Sequence, residues 1–168
     1  MNCDLTELAR RARAAARQLA LADTAAKNKA LCAAADALEG ASAEIIAENA
    51  KDLEAGRENG LSTALLDRLA LSEERIRGMA DGMRAVAALE DPVGRVLEEF
   101  DRPNGLHLVK RTVPIGVIAV IYEARPNVTA DSAALCLKSG NAAILRGGKE
   151  AIRSNLAVAK VLRSAIAQ

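Results

Sequence analysis

The unbroken apolar run from Gly116 to Ile121 constrains the fold more than any other segment. It reads Gly-Val-Ile-Ala-Val-Ile, with no polar residue at either alternate position. Such a run is typical of a strand that is buried on both faces, as in a parallel sheet. A helix over about Thr129–Ser139, a second short apolar strand over Ala142–Leu145 and a last helix to about Ala167 are expected to follow. Strand, helix, strand and helix in this order predict a βαβ unit with one further helix.

Two segments of different character precede this unit. Residues 1–92 have helical periodicity, which ends at Pro92. Residues 93–113 favour a hairpin, with strands over Arg95–Asp101 and Leu106–Val113 joined by a Pro-Asn-Gly turn. Neither face of the second strand is uniformly apolar, so an exposed ribbon or a subunit contact is expected there. Helix starts are predicted at Asp4, at Asp23 or Thr24, at Ser42, at Ser62 and at Ser72.

Together these segments predict an α/β fold: N-terminal helices, a β-hairpin, then the first βαβα of a Rossmann-like parallel sheet. Two parallel strands leave sheet edges that need to be covered. We therefore expect the chain to be the N-terminal part of a larger nucleotide-binding domain, incomplete in itself; the family resemblance given below implies that the catalytic domain is absent. Its three parts are expected at residues 1–92, 93–113 and 114–168.

Composition and charge exclude several classes of function. The 23 basic and 22 acidic residues give a net charge of +1, and aromatic residues make up only 1% of the chain. A nucleic-acid partner would therefore find neither a positive field nor stacking platforms. No apolar run approaches the ~18 residues that span a bilayer, and three widely spaced cysteines argue against a disulfide framework and a metal cluster. We expect a cytoplasmic protein with no membrane partner and no metal.

Two loops are the candidate functional segments, because ligands of open α/β sheets bind outside the carboxyl ends of the strands. The first loop contains Arg125 and Asn127, and the second is Arg146-Gly147-Gly148-Lys149. Parallel strands end on the same side of a sheet, so we expect both loops to face one shared cleft.

The second loop has features of a phosphate site. Its two glycines allow close backbone approach, the following helix would present free N–H groups, and two cations flank the turn. Arg146 and Lys149 also suit the 2′-phosphate that distinguishes NADP from NAD. An ordinary strand-to-helix turn with solvated charges is the alternative, since the loop matches neither a Walker motif nor a G-x-G-x-x-G.

Asn127 is the other candidate, since an amide just past a buried strand can donate to an oxygen that gains charge in acyl chemistry. Its alternative role is a turn residue or a helix cap. The cysteines read as structural: Cys32 and Cys136 are expected inside apolar helix faces, and Cys3 lies near the terminus. His107 is expected to be a surface residue.

Three consecutive segments resemble one family. They are Val113–Asp131, which contains Y-E-A-R-P-N-V-T, then Ala134–Asn141, and then Ile144–Ile152, which contains L-R-G-G-K-E-A. These motifs are similar to those of the γ-glutamyl phosphate reductases (glutamate-5-semialdehyde dehydrogenases) of the aldehyde dehydrogenase superfamily. Weaker similarity extends over the helical region and the hairpin.

The resemblance implies NADPH-dependent reduction of L-glutamate 5-phosphate to the 5-semialdehyde with release of phosphate, the second step of proline synthesis. In that chemistry a cysteine thiolate attacks the acyl phosphate, and the resulting thioester is reduced through a hemithioacetal oxyanion. Asn127 matches the amide that stabilises the oxyanion, and Arg125 is expected to meet a substrate carboxylate or phosphate. Tyr122, Arg146, Gly147, Gly148 and Lys149 are expected at the cofactor.

The resemblance also implies partners and a limit. The 95–113 hairpin is similar to oligomerisation strands, which suggests a homo-oligomer, and glutamate 5-kinase is a further suggested partner. None of the three cysteines matches the family's nucleophile, so the chain alone is expected to be an inactive N-terminal fragment. Two alternatives stay open: another acyl reductase of the superfamily, and a non-catalytic module that binds nucleotide or dimerises.

Overall fold

A computed structural model describes residues 4–167 of the chain, and it confirms the predicted α/β architecture. Five helices come first, a hairpin follows, and a strand–helix–strand–helix unit comes last. The helices are α1 Leu5–Leu19, α2 Thr24–Gly40, α3 Ser42–Glu58, α4 Thr63–Leu69, α5 Glu73–Ala88, α6 Asn127–Lys138 and α7 Ile152–Ile166, and a 3₁₀ turn spans Lys149–Ala151. The strands are β1 Val96–Asp101, β2 His107–Arg111, β3 Val117–Ile121 and β4 Ala142–Arg146.

Side-chain caps fix four of the helix starts that the sequence predicts. The Asp4 carboxylate accepts from the backbone N–H groups of Thr6 and Glu7, and the Asp23 carboxylate accepts from Ala26 N at 2.7 Å. Ser62 and Ser72 do the same for α4 and α5. Each cap satisfies a backbone donor that has no partner within its own helix.

The core lies between α2, α5, α6 and α7. Leu31, Leu38, Ile76 and Val158 are fully buried there, and alanines such as Ala34 let the helices approach closely. One expectation about this layer is wrong: Cys32 is exposed on α2, although the sequence placed it inside an apolar face. The apolar stripe of α2 is narrow, and Cys32 lies beside it rather than in it.

The hairpin is exposed along its whole length, as expected for a segment with mixed faces. β1 and β2 pair antiparallel, with Asp101 opposite His107, and every residue of both strands is exposed. Phe100, Leu108 and other apolar side chains are among them. Exposed apolar residues on a two-stranded ribbon are unusual for an isolated surface and typical of an interface.

β3 and β4 pair in parallel, as predicted, and the register runs from Val117 opposite Ala142 to Ile121 opposite Arg146. The expectation that β3 is buried on both faces is wrong. Ala119 is exposed, and Ile121 is 83% exposed. A strand is buried on both faces only when helices cover the sheet on both sides and further strands flank it. Within residues 4–167 the sheet that contains β3 has two strands, so β3 stays partly exposed.

The loops that follow the two strands pack directly on each other. Tyr122 N donates to Arg146 O at 3.1 Å. A Cβ added to Gly147 would overlap Asn155 Nδ2 and lie 3.0 Å from the Tyr122 ring, and one added to Gly148 would lie 3.3 Å from Ala124 N. The two glycines are thus required for the contact between the loops themselves.

A buried ion pair joins α2 to the segment that leads into the hairpin. Lys27 Nζ lies 2.6 Å from Asp91 Oδ2, and only 2% and 14% of the two side chains are exposed. Burial pushes the pKa of Asp91 upward, but donors from Lys27, Thr24 and the Val93 N–H outweigh it and lower the pKa from 3.8 to about 2. The pair therefore stabilises the fold above the carboxyl's ordinary pKa.

Replacing Asp91 tests this pair. Asp91→Asn should lower the free energy of unfolding at neutral pH by about 3 kcal/mol, because it leaves the buried Lys27 ammonium without a counter-charge. The Asp91 pKa is depressed in the folded state, so its contribution is complete above pH 3.8 and is lost as the pH falls to about 2. Urea unfolding of both proteins across this range measures the difference. Asp81→Asn, at an exposed position 65% accessible, should change little.

The two glycine contacts give a second test by urea unfolding. Gly147→Ala should destabilise the chain by about 1–3 kcal/mol, because the new Cβ overlaps Asn155. Gly78→Ala is the matched control: it lies inside α5, nothing lies within 4 Å of its added Cβ, and it should stabilise by about 0.5–1 kcal/mol. Similar effects of the two substitutions would show that the loops are not tightly packed.

Candidate functional site

Asn127 occupies the first residue of α6, two residues before the predicted start of that helix. Its side chain is exposed, and Nδ2 donates to Asp131 Oδ2 at 3.2 Å, one helical turn further on. The N-cap position belongs to Pro126, and no side chain caps this helix. The capping role that the sequence left open for Asn127 is therefore not what the structure has, and the amide faces outward.

The amide of Asn127 lines a cavity of about 430 Å³, which we call the Asn127 cavity. α6 and the loop before it form one wall, and the segment from α4 to α5 forms the other. Arg125 also lines this cavity, so the structure brings together the two residues that the sequence assigned to chemistry and substrate. The other lining residues are Asp67, Arg68, Ala70, Leu71, Arg75, Gly78, Met79 and Asp131.

The charged groups of the Asn127 cavity are only partly neutralised by one another. Arg75 pairs with Asp67 at 3.0 Å and donates to Ala70 O at 2.7 Å. Arg68 and Arg125, within residues 4–167, form no ion pair. Burial raises the pKa of the Asp131 carboxyl, and the hydrogen bond from Asn127 opposes that rise.

The expected cofactor residues Tyr122, Arg146 and Gly147 line a different cavity of about 260 Å³, the Tyr122 cavity. A hydrogen-bonded chain forms its polar wall. Tyr122 Oη lies 2.6 Å from Thr129 Oγ1, and Thr129 Oγ1 donates to Asn155 Oδ1 at 3.1 Å.

The Nδ2 atom of Asn155 indicates that the Tyr122 cavity can bind a polar ligand. Among the described residues, the buried Nδ2 of Asn155 has no partner. The sequence analysis did not identify Thr129 and Asn155 as site residues. The signal for Asn155 was its position as a polar residue on the buried face of α7.

Lys149 lies at a third surface, beside Asp52, Glu150 and Arg153. The expectation of one shared cleft is therefore wrong for the described residues. The physical reason is that Gly148 packs on the backbone of Glu123 and Ala124, so the touching loops form a ridge, and their side chains fall on different sides of it.

Two backbone N–H groups at the start of the helix that follows the glycine turn already have a side-chain partner, contrary to the expectation that they are free. Asp52 Oδ2 accepts from Ser154 N at 2.8 Å and from Ser154 Oγ at 2.7 Å, and Asp52 Oδ1 accepts from Arg153 N at 3.3 Å. A residue from α3 thus caps α7 from 102 positions away. A phosphate at this terminus would meet a carboxylate already in place, so anion binding here depends on the cations.

Neither of the described cysteines lines the Asn127 cavity or the Tyr122 cavity. Cys136 is buried, as predicted, and burial raises the pKa of its thiol. Cys3 lies outside the described residues.

His107 is exposed, as predicted, with Nδ1 2.8 Å from Asp101 and Nε2 3.0 Å from Glu99. No helix between residues 4 and 167 is long and apolar enough to cross a membrane.

Comparison with known proteins identifies close relatives. The γ-glutamyl phosphate reductase of Vibrio parahaemolyticus is 57% identical over 165 residues, which are 98% of this chain and 40% of that enzyme. That of Novosphingobium aromaticivorans is 57% identical over 98% of this chain and 39% of its own length. The chain thus spans about 40% of the length of the curated relatives it matches. No protein-family model matches the chain.

Solved structures agree. The γ-glutamyl phosphate reductase of Thermotoga maritima superposes with a TM-score of 0.96 at 42% identity, over 98% of this chain and 40% of that one. The Saccharomyces cerevisiae enzyme gives 0.93 at 39% identity, over 99% and 42%. A probable aldehyde dehydrogenase from Listeria monocytogenes, at 16% identity and 0.71 over 98% and 33%, shares the fold alone. By sequence over nearly its whole length, and by fold, the chain is similar to about 40% of the length of the γ-glutamyl phosphate reductases.

Proposed function

We propose that this chain is part of an enzyme that reduces L-glutamate 5-phosphate with NADPH to L-glutamate 5-semialdehyde and phosphate, the second step of proline biosynthesis. The observation that carries the proposal is the Asn127 cavity, in which an outward-facing amide lies together with two arginines that have no ion pair within residues 4–167. The 57% identity to named reductases over 98% of the chain supports the same reaction.

Asn127 is proposed to stabilise the oxyanion. When a thiolate attacks the acyl carbon, the carbonyl oxygen gains negative charge, and a fixed amide N–H pointing at it lowers the barrier. The helix start holds Asn127 at the end of β3, and its Nδ2 is occupied only by the exposed Asp131 carboxylate. The second Nδ2 hydrogen is not used by that contact and can donate to the substrate oxygen.

Arg125 is proposed to bind an anionic group of the substrate from the same wall of the cavity. The attacking thiol is proposed to come from outside residues 4–167, since Cys32 and Cys136 line neither cavity and Cys136 is held protonated by burial. Residues 1–168 would then form the N-terminal part of the NADP-binding domain, with parts at 1–92, 93–113 and 114–168.

The cofactor residues are proposed at the Tyr122 cavity. Bound NADPH would supply the hydride. The buried, unpartnered Nδ2 of Asn155 and the exposed Arg146 fit a polar, anionic ligand at the end of β4. Arg146 would hold the 2′-phosphate, Gly147 and Gly148 would keep the turn compact, and Lys149 would add positive potential from the neighbouring surface.

The hairpin is proposed to join subunits of a homo-oligomer. Both strands are fully exposed and carry apolar side chains, among them Phe100 and Leu108, so covering them would remove apolar area from water. Glutamate 5-kinase as a second partner stays a prediction, as does a cytoplasmic location.

One alternative has a specific observation in its favour. The described cysteines line neither cavity, which suits a module that binds nucleotide without turnover. The 168-residue chain alone should therefore give no NADPH oxidation with L-glutamate 5-phosphate, whereas the complete reductase that contains it should. Turnover by the chain alone would show that the nucleophile lies within it.

Replacing Asn127 tests the oxyanion role. In the complete reductase, Asn127→Ala should lower kcat about 10²–10³-fold, the usual loss for one oxyanion donor, with little change in KM. Steady-state rates of NADPH formation in the reverse direction measure this. Asn59→Ala removes another exposed amide, at the end of α3, and should leave kcat unchanged; a small effect at Asn127 would refute its role.

Replacing the cations tests the cofactor assignment. Arg146→Leu should raise KM for NADPH at least about tenfold, because a charge-assisted hydrogen bond to phosphate is lost. KM for NADH should stay the same, since NADH has no 2′-phosphate. Lys149→Leu should give a smaller shift, as its side chain lies at a different surface. Lys160→Leu, which breaks an exposed pair with Glu44, should change neither value.

A further inference from the structure

The Asn127 cavity contains one carboxylate that the proposed reaction has not used. Of its two aspartates, Asp67 is paired with Arg75. Asp131 has only the neutral amide of Asn127 as its hydrogen-bond partner among the described residues. The cavity thus offers one free carboxylate together with two unpaired guanidinium groups, those of Arg68 and Arg125.

The walls around Asp131 leave room for a ligand. α5 faces it with glycines: a Cβ added at Gly82 would lie 4.0 Å from Asp131 Oδ1, and one added at Gly78 would meet nothing within 4 Å. Gly78 itself lines the cavity, and the buried Met79 is also part of its lining. A glycine in a helix interior costs stability relative to alanine; Gly78 keeps space open in the cavity, and Gly82 keeps space open beside Asp131.

The substrate of the proposed reaction carries the complementary charges. L-Glutamate 5-phosphate has one α-ammonium and two anionic groups, the α-carboxylate and the phosphate. Its ammonium nitrogen and its acyl carbon are about 5 Å apart along an extended chain. Asn127 and Asp131 are separated by about one helical turn, roughly the same distance.

We propose, on the basis of the proposed function, that Asp131 binds the α-ammonium of the substrate, while Arg68 joins Arg125 in binding its anionic groups. Asp131 is then the residue that selects an amino-acid substrate over the same chain without an amine. The ammonium would take over the carboxylate that accepts one Asn127 Nδ2 hydrogen, so that either hydrogen could donate to the oxyanion.

A substrate comparison distinguishes recognition from a structural role. The complete reductase is assayed in the reverse direction, with NADP and phosphate, on L-glutamate 5-semialdehyde and on 5-oxopentanoate, which lacks only the amine. The measured quantity is the ratio of the two kcat/KM values. The fraction of free aldehyde differs between the substrates, but it cancels when the ratio is compared between proteins.

Asp131→Asn should reduce the preference for the amine-bearing substrate about 10- to 100-fold, as expected for one charge-assisted contact. Its activity on 5-oxopentanoate should stay nearly unchanged. Arg68→Met should lower kcat/KM for both substrates, because both carry the carboxylate. Asp67→Asn, which removes an equal charge from the same cavity, should leave the ratio as it is.

Each outcome has a definite meaning. Wild-type protein without activity on either aldehyde would overturn the proposed function. Wild-type activity with an unchanged ratio in Asp131→Asn would overturn this inference alone, and an equal loss on both substrates would make Asp131 a positioning residue for Asn127. Gly78→Leu checks the cavity independently: it should raise KM for the semialdehyde without lowering the melting temperature, and an unchanged KM would place the substrate elsewhere.

Discussion

Parallel pairing of β3 with β4 determines where every candidate functional residue lies. The last pair of the register, Ile121 with Arg146, brings the two following loops into contact. Each loop then turns into a helix that packs on the α2–α5 layer, so Asn127 faces α5 while Arg146 and Gly147 face the Tyr122 cavity. The glycines at 147 and 148 make this contact possible, because any side chain there would force the loops apart. The separation of the two cavities follows from that close packing.

Polar groups buried between the helices connect the N-terminal region to the strand–helix unit. Asp52 of α3 caps α7, and Asn49 donates to Leu69 O at 2.9 Å and to Ser154 Oγ at 3.0 Å. Lys138 at the end of α6 donates to Ala87 O at 2.8 Å, at the carboxyl end of α5. Buried polar groups destabilise a fold unless each finds a partner. These contacts therefore fix how the N-terminal helices sit against α6 and α7, and with it the shape of the Asn127 cavity between α5 and α6.

Local patterns in the sequence predicted the elements, and long-range contacts decided the site. The apolar run at Gly116–Ile121 and the caps at Ser62 and Ser72 depend on near neighbours, so strands and helix starts could be read directly. Asp52 is 102 positions from the backbone it caps, and nothing in the sequence near the glycine turn indicates it. The prediction of one shared cleft was wrong for the same reason. Pairing of the strands was predictable, whereas the side of the ridge on which each side chain lies depends on the packing of α3, α5 and α7. Cys32 was misplaced because an alanine-rich helix has no sharp boundary between its apolar and polar faces.

Asp131 shows how one contact can link substrate selection to chemistry. In the free protein its carboxylate accepts one of the two Nδ2 hydrogens of Asn127, with Nδ2 and Oδ2 3.2 Å apart, so the amide is oriented and one of its donors is in use. A ligand ammonium competes for that carboxylate with a full charge, and a charged donor outcompetes a neutral amide. Either Nδ2 hydrogen can then donate to the oxyanion at the moment when the acyl carbon lies beside it. A ligand without the amine leaves the bond between Asn127 and Asp131 in place, and only the second Nδ2 hydrogen can donate to its oxyanion. Selectivity of this kind appears in kcat as well as in KM, because the interaction that is gained belongs to the transition state.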